Sequence, residues 1–233
     1  MTDHIAMYAA SLGMQIKHRT ILVEGTSDVA LLGLVASLEK KLSGKELFGD
    51  FAIVAAGERD QGGVNGVVRE LIAFRGMART FLQSNGKPVY RFVGLFDNDL
   101  AGRRAIATAR DLDSSILEYK DVFRLMPVMP HPGNLDPGTV AAAFARSNEP
   151  YKGLDWELED LVSEELIRVF DEERYGALKE RVVLLDKTHH EFTRDGKAQL
   201  HRFVKLHGMR EDLVKVVELI HALRCYLNLP SLR

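Results

Sequence analysis

Four apolar runs mark the first half of the chain: "TILVEG" (20–25), "FAIVAAG" (51–57), "VYRFVGLFD" (89–97) and "VFRLMPVMP" (122–130). Each is too uniformly apolar for a strand with one wet face, so the pattern predicts buried central strands. The intervening stretches have helical spacing. "SDVALLGLVASLEKKL" places Leu31, Leu34, Val35 and Leu38 on one side, with Ser27 or Asp28 available as its N-cap, and "GVVRELIAFRGMARTFLQ" and "AGRRAIATARDL" supply two more crossovers. The order βαβαβαβ is that of a parallel sheet covered by helices. After Pro130 the segment "HPGNLDPGTV" has the Pro and Gly density of a loop, and no strand of comparable quality follows it. The remainder reads as helical: "LDWELEDLVSEELIRVFDEERYG", "DGKAQLHRFVKLHG" and "MREDLVKVVELIHALRCYLNL", the last starting close to Glu211 and Asp212, where acids favour a helix N-terminus. The expected architecture is an α/β core over 1–130, with a short lead-in over 1–19 and a parallel four-stranded sheet flanked by helices. A linker and helical C-terminal extension would occupy 131–233.

Composition adds limits. A chain of 233 residues with 46% hydrophobic content holds one sizeable core, or one core with an appended subdomain. The net charge of −2 means that attraction to a polyanion must come from a local patch. The single cysteine, Cys225, excludes an intramolecular disulfide and a Cys-based zinc cluster, which fits a reducing compartment. The N-terminus lacks the apolar run of a signal peptide, and no segment approaches the ~20 apolar residues of a membrane span. A cytoplasmic protein without a membrane partner is expected.

The chemistry lies at the ends of the strands. In an open parallel sheet the working surface is the rim at the carboxyl ends. Glu24 ends the first strand, and Asp97 and Asp99 of "LFDNDLAGRRA" end the third; both could face one side if that strand persists through Asp99. Asp28 sits four residues beyond Glu24, and Gly25 permits the tight turn that would return it to the same rim. Such close acids repel and raise one another's pKa, so cations would stabilise the cluster, and oxygen ligands select Mg²⁺ or Mn²⁺ over zinc. Taken singly, Asp28 and Asp99 also fit as helix N-caps. Glu24 is harder to explain so, because a carboxylate ending an Ile-Leu-Val strand is partly desolvated and needs a partner.

"VEGTSD" followed far downstream by "LFDNDLAGRRA" resembles the Toprim domain of topoisomerases, bacterial primases and OLD-family (overcoming lysogenization defect) nucleases. The resemblance covers roughly residues 20–130, with the family's glutamate at Glu24 and its D-x-D at Asp97 and Asp99. Asp28, giving E-x-x-x-D, is more similar to the OLD branch. Beyond the core, "WELEDL" resembles the acidic segment that completes a second metal site, which implies Glu159 and also Glu157, and "DGKAQL" resembles the segment bearing a catalytic lysine, here Lys197. These short matches leave open that the two glutamates are solvated helix acids and Lys197 a surface residue.

The resemblance implies a metal-dependent nuclease with two cations ~3.5 to 4 Å apart, hydrolysing phosphodiesters of nucleic acid, DNA more than RNA. Glu24, Asp28 and Asp97 would hold one ion, and Asp99 and Glu159 would help hold the other. It also suggests a separate ATPase subunit, since OLD-type proteins carry an ATPase and this chain has no such motif, and a place in phage defence. Primase-like nucleotidyl transfer, or a non-catalytic subunit that binds nucleic acid or a partner, are the competing expectations. Topoisomerase-like cleavage needs a tyrosine on a further domain.

Residues 187–210 gather Lys187, Arg194, Lys197, Arg202, Lys205 and Arg210 with four of the eight histidines, and Arg103 and Arg104 follow the D-x-D. A surface of this kind would bind phosphates without reading sequence; the alternative is a solvated helical face. The histidines lack H-x-x-x-H spacing and do not suggest a metal site. The glycine-rich loop "AAGERDQGGVNG" could present N–H groups to a phosphate or be a plain turn, and it has no Walker A ending. Trp156 and Tyr151 read as packing residues.

Overall fold

The computed structural model describes residues 2–56 and 62–232. Four parallel strands form one sheet: β1 (Arg19–Val23), β2 (Ala52–Ala55), β3 (Arg91–Phe96) and β4 (Val122–Arg124), in the order β2-β1-β3-β4. Ile21 lies opposite both Ile53 and Val93, so β1 is central. Around the sheet run α1 (His4–Ser11), α2 (Thr26–Ser43), α3 (Gly63–Ala78) and α4 (Leu100–Leu112). The α/β class, the four-stranded parallel sheet and its flanking helices are as expected from the apolar runs. The lead-in contains a helix, α1, capped by Asp3 through Ala6 N–H at 2.9 Å.

The strand period of two divides the core into halves. Ile21, Val23, Ile53, Val93, Leu95 and Phe123 point into one apolar cluster, while Leu22, Val54, Phe92, Phe96 and Val122 point into another. The second cluster is closed by α1, α3 and α4. The first is closed by α2 and by everything after residue 130: α5 (Pro137–Asn148), α6 (Glu164–Glu173), α7 (Arg194–His207) and α8 (Val214–Tyr226). The C-terminal region therefore shares a hydrophobic core with one face of the sheet. Phe123 of β4 stacks on Tyr226 of α8 at 4.5 Å between ring centres, and the Tyr226 hydroxyl donates to the Pro130 carbonyl at 2.8 Å.

Three expectations are corrected. The extension is not wholly helical: β5 (Leu178–Leu184) and β6 (Lys187–Phe192) form an antiparallel hairpin. The last core strand stops at Arg124, because Pro127 and Pro130 remove the donors a longer ladder needs. The long acidic segment after Leu154 is a 3-10 turn, Leu158–Leu161, followed by α6, with Ser163 as its N-cap. Among the described residues no helix is long and apolar enough to cross a membrane.

Candidate active site

The chain passes from β1 to β2 on one side and to β3 on the other, so the C-terminal ends of β1 and β3 flank a topological switch point, where open α/β sheets form their ligand crevice. Glu24 follows β1 and Asp97 follows β3. They are neighbours through the Asp97 N–H, which points to Glu24 Oε1 at 3.4 Å. Gly102 makes the adjoining turn possible, since a Cβ there would collide with the Asp97 carbonyl oxygen.

Asp28 reaches the same crevice, although the N-cap of α2 is Gly25 and neither Ser27 nor Asp28. Asp28 occupies the third helical position and accepts from the Gly25 N–H at 2.9 Å and from the Ser27 hydroxyl at 3.2 Å. Glu24, Asp28, Asp97, Glu159 and Lys197 together line a cleft of about 350 Å³, joined by Gly62 and Gly63. Residues 57–61 of the glycine-rich loop, expected as a phosphate cradle or a plain turn, lie outside the described residues. A larger cavity of about 930 Å³ lies between the 126–135 segment and α8. Among the described residues its one carboxylate is Glu218, beside Lys187, Lys215 and Arg224, so the smaller cleft is where carboxylates converge.

Asp99 stands apart from the cleft lining. β3 ends at Phe96, so the pleat does not carry Asp99 to the side of Asp97. Asp99 is the N-cap of α4 and accepts from the Gly102 N–H at 2.6 Å. Its charge still reaches Glu24.

Glu157 and Glu159 are not solvated helix acids. They sit on the 3-10 turn, Glu159 is 3% exposed, and Lys197 Nζ is 2.8 Å from Glu157 and 3.7 Å from Glu159. Lys197 is correspondingly not an ordinary surface lysine. The turn is fixed from behind by buried Asp160, which accepts from the N–H groups of Glu157 and His190, both at 2.8 Å, and bonds the His189 ring at 2.8 Å.

Electrostatics separates these acids. Burial, with Asp28 and Asp99 adding to it, raises Glu24 from 4.5 to about 7. Burial and the Glu159 charge raise Asp28, and the same two causes with Glu24 hold Asp97 well above the carboxylate range. Burial also raises Glu157 against the pull of Lys197. Glu159 goes the other way: burial opposes its charge, but His201 and Lys197 outweigh it and hold the carboxyl down to about 2. Lys197 is raised, because Glu159, Asp97 and Glu157 overcome the effect of its burial. Among the described residues, no three His, Cys, Asp or Glu side chains are gathered closely enough to hold a cation as they stand. The donors facing the cleft are carboxylate oxygens, the chemistry suited to Mg²⁺ or Mn²⁺.

The basic residues divide similarly. Arg103 is engaged, donating to the Asn98 carbonyl at 2.9 Å and to Asp155 at 2.8 Å. Arg210 pairs with Glu39 at 2.9 Å, and Lys187 with Asp186 at 3.2 Å. Arg104 is exposed on α4, and Arg194, Arg202 and Lys205 are exposed on α7, the helix that delivers Lys197. The sequence reading missed His201 and Asp160. His201 bonds Glu159 at 3.0 Å, and its signal was spacing: Lys197 and His201 are one turn apart on α7. Trp156 is buried as expected, and Tyr151 donates to Asp186 at 2.6 Å.

Comparison with protein-family models, with curated proteins and with solved structures found no match.

Proposed function

We propose that this chain is a divalent-metal-dependent nuclease of the Toprim type, hydrolysing phosphodiester bonds of nucleic acid, DNA in preference to RNA. The observation that carries this reading is the convergence of Glu24, Asp28 and Asp97, from the switch point of the sheet, with Glu159 and Lys197, from the extension, on one cleft. A pure binding surface for nucleic acid gains nothing from buried acids that repel phosphate.

In this reading Glu24, Asp28 and Asp97 would hold one Mg²⁺ or Mn²⁺, and Glu159, with Glu157 sharing Lys197 beside it, would hold the second, while Asp99, the N-cap of α4, adds its charge from outside the cleft lining. Bound there, the ions would activate the attacking water and stabilise the leaving oxygen. The Lys197 ammonium, already set among these acids, offsets the charge that grows on the phosphoryl oxygens. Arg194, Arg202 and Lys205 are exposed on the same helix as Lys197 and offer phosphate contacts to the strand. Arg104 extends that surface, while Arg103 acts as a brace. A separate ATPase subunit and a role in phage defence remain part of the proposal on the strength of the motif resemblance.

The test is cleavage of supercoiled plasmid, linear DNA and RNA by purified protein with Mg²⁺, Mn²⁺ or EDTA, alongside Glu24→Gln and Asp97→Asn. EDTA-sensitive cleavage that both variants lose is expected. Cleavage that survives EDTA, or a variant that cuts at the wild-type rate, refutes the site. Nucleotide incorporation without cleavage would favour transfer over hydrolysis.

A further inference from the structure

Glu159 is the most constrained acid in the cleft. Its backbone lies in the 3-10 turn Leu158–Leu161, which Asp160 ties to Glu157 and to β6. Its two oxygens are both addressed from α7: Oε1 by His201 Nε2 at 3.0 Å and Oε2 by Lys197 Nζ at 3.7 Å. The two contacts are unequal. Lys197 is shared with Glu157, which it approaches more closely. Among the described residues, the His201 ring, 10% exposed, makes one polar contact, to Glu159, and its buried Nδ1 meets no partner. A buried ring that serves packing or the backbone ordinarily satisfies both nitrogens; here the ring's single bond goes to a carboxylate of the cleft.

Resting on the metal-dependent reading above, we infer that His201 is a positioning residue for the cation site. Its Nε2–H fixes Oε1 of Glu159 and so leaves Oε2, which Lys197 approaches only to 3.7 Å, as the oxygen turned to the cation. A carboxylate with both oxygens unheld rotates about its last bond and binds in several geometries, whereas one held at Oε1 presents a single oxygen in one direction. Groups that orient a metal ligand from behind typically contribute 10–100-fold to metal affinity. His201 can do this because α7 is itself anchored: Thr193 caps it through the Gly196 N–H at 2.9 Å, and Leu200, Phe203 and Val204, close to His201 along the helix, are buried. The helix that brings the ammonium of Lys197 therefore also sets the aim of the carboxylate beside it.

The experiment is Mn²⁺ binding to the full chain without nucleic acid, followed by calorimetry and by the electron paramagnetic resonance signal of free Mn²⁺. His201→Ala should weaken binding of one Mn²⁺ by about 10- to 100-fold. His201→Gln, which can return an N–H near the place of Nε2, should restore affinity to within several-fold. His201→Phe, which keeps ring volume without a donor, should resemble the alanine variant. In a Glu159→Gln background the alanine substitution should have little further effect. Wild-type affinity in His201→Phe, or equal loss in Gln and Ala, overturns the inference. Should His201→Ala not fold, the Gln and Phe variants carry the comparison. Wild-type protein that binds no Mn²⁺ overturns the metal reading and this inference together, while intact binding in every His201 variant overturns the inference alone.

Discussion

Glu24→Gln should make the metal-free protein more stable, and only above mildly acidic pH. Burial raises the Glu24 carboxyl from 4.5 to about 7. The folded state thus keeps a proton that the unfolded chain has released. For an acid shifted upward, the stabilising contribution is present below 4.5 and is lost as pH rises through about 7. At ~1.4 kcal/mol per pH unit that interval sets a ceiling of about 3 kcal/mol. Neighbouring acids share the field, so ~1–3 kcal/mol is the expected effect, or roughly 3–10 °C in melting temperature for a chain of this size. Gln keeps an oxygen to accept from the Asp97 N–H, so the substitution removes charge with little loss of contact.

The assay is thermal and urea unfolding of EDTA-treated wild type and Glu24→Gln between pH 4.5 and 8.5 at fixed ionic strength. Other carboxylates titrate in both proteins, so the difference between the two curves is the reading. It should be near zero at the acid end and favour the variant at pH 8. Saturating Mn²⁺ should reverse the order, since a ligand at 100 times its Kd adds ~2.7 kcal/mol to the protein that binds it. A gap independent of pH, or wild type the more stable at pH 8 in EDTA, would refute the account of a repulsive, desolvated cluster.

Asp28→Asn should keep the bond from Gly25 N–H and, because burial and the Glu159 charge raise Asp28 as well, should leave the metal-free melting temperature unchanged at the acid end and higher than wild type at pH 8, yet move the Mn²⁺ titration to higher concentration; an unaltered titration would leave Asp28 a helix-turn partner alone. Lys197→Ala should destabilise the metal-free protein by about 2 kcal/mol by stripping Glu157 and Glu159 of their cation, and should lower kcat more than it raises KM; a change in KM alone would return Lys197 to substrate binding. Asp160→Ala should cost about 3 kcal/mol in urea unfolding by orphaning the buried N–H of His190 and the partly buried N–H of Glu157; a loss under about 1 kcal/mol would mean that the turn is held otherwise. Arg202→Ala with Lys205→Ala should reduce the salt slope of DNA binding by about 2, read by fluorescence anisotropy in EDTA; an unchanged slope excludes them as phosphate contacts.

What the sequence revealed and what it hid follow from one distinction. The core strands were legible because both faces are buried, so burial appears as unbroken apolar runs. The β5–β6 hairpin was not, because β5 is almost wholly exposed and carries Lys179, Glu180 and Arg181. Its turn also lacks the usual signal: Leu185, a bulky residue, takes φ 56° where Gly or Asn is the common choice. The acids at the ends of β1 and β3 were legible because position along a parallel strand fixes which rim a residue occupies. Asp99 was misplaced by extending the pleat past Phe96. Asp160 and His201 were invisible as partners of the 3-10 turn, since their roles depend on β6 and α7 approaching it; the one-turn spacing of Lys197 and His201 shows a shared helix face and not what that face meets.

The cleft and the core half on the Ile21 face of the sheet are products of the same docking event. Glu24, Asp28 and Asp97 belong to the sheet and its first helix, and left to themselves they would be an uncompensated acidic rim. The groups that answer them, Lys197 directly and His201 through Glu159, arrive on α7, whose Leu200, Phe203 and Val204 join the apolar cluster containing Ile21, Val23 and Val93. Hydrophobic burial on one face of the sheet thus overcomes the repulsion at its edge and holds charged groups where they could not gather unaided. It follows that a core cut after β4 would lose more than two glutamates and a lysine, since it would expose an apolar sheet face beside an unneutralised cluster of acids.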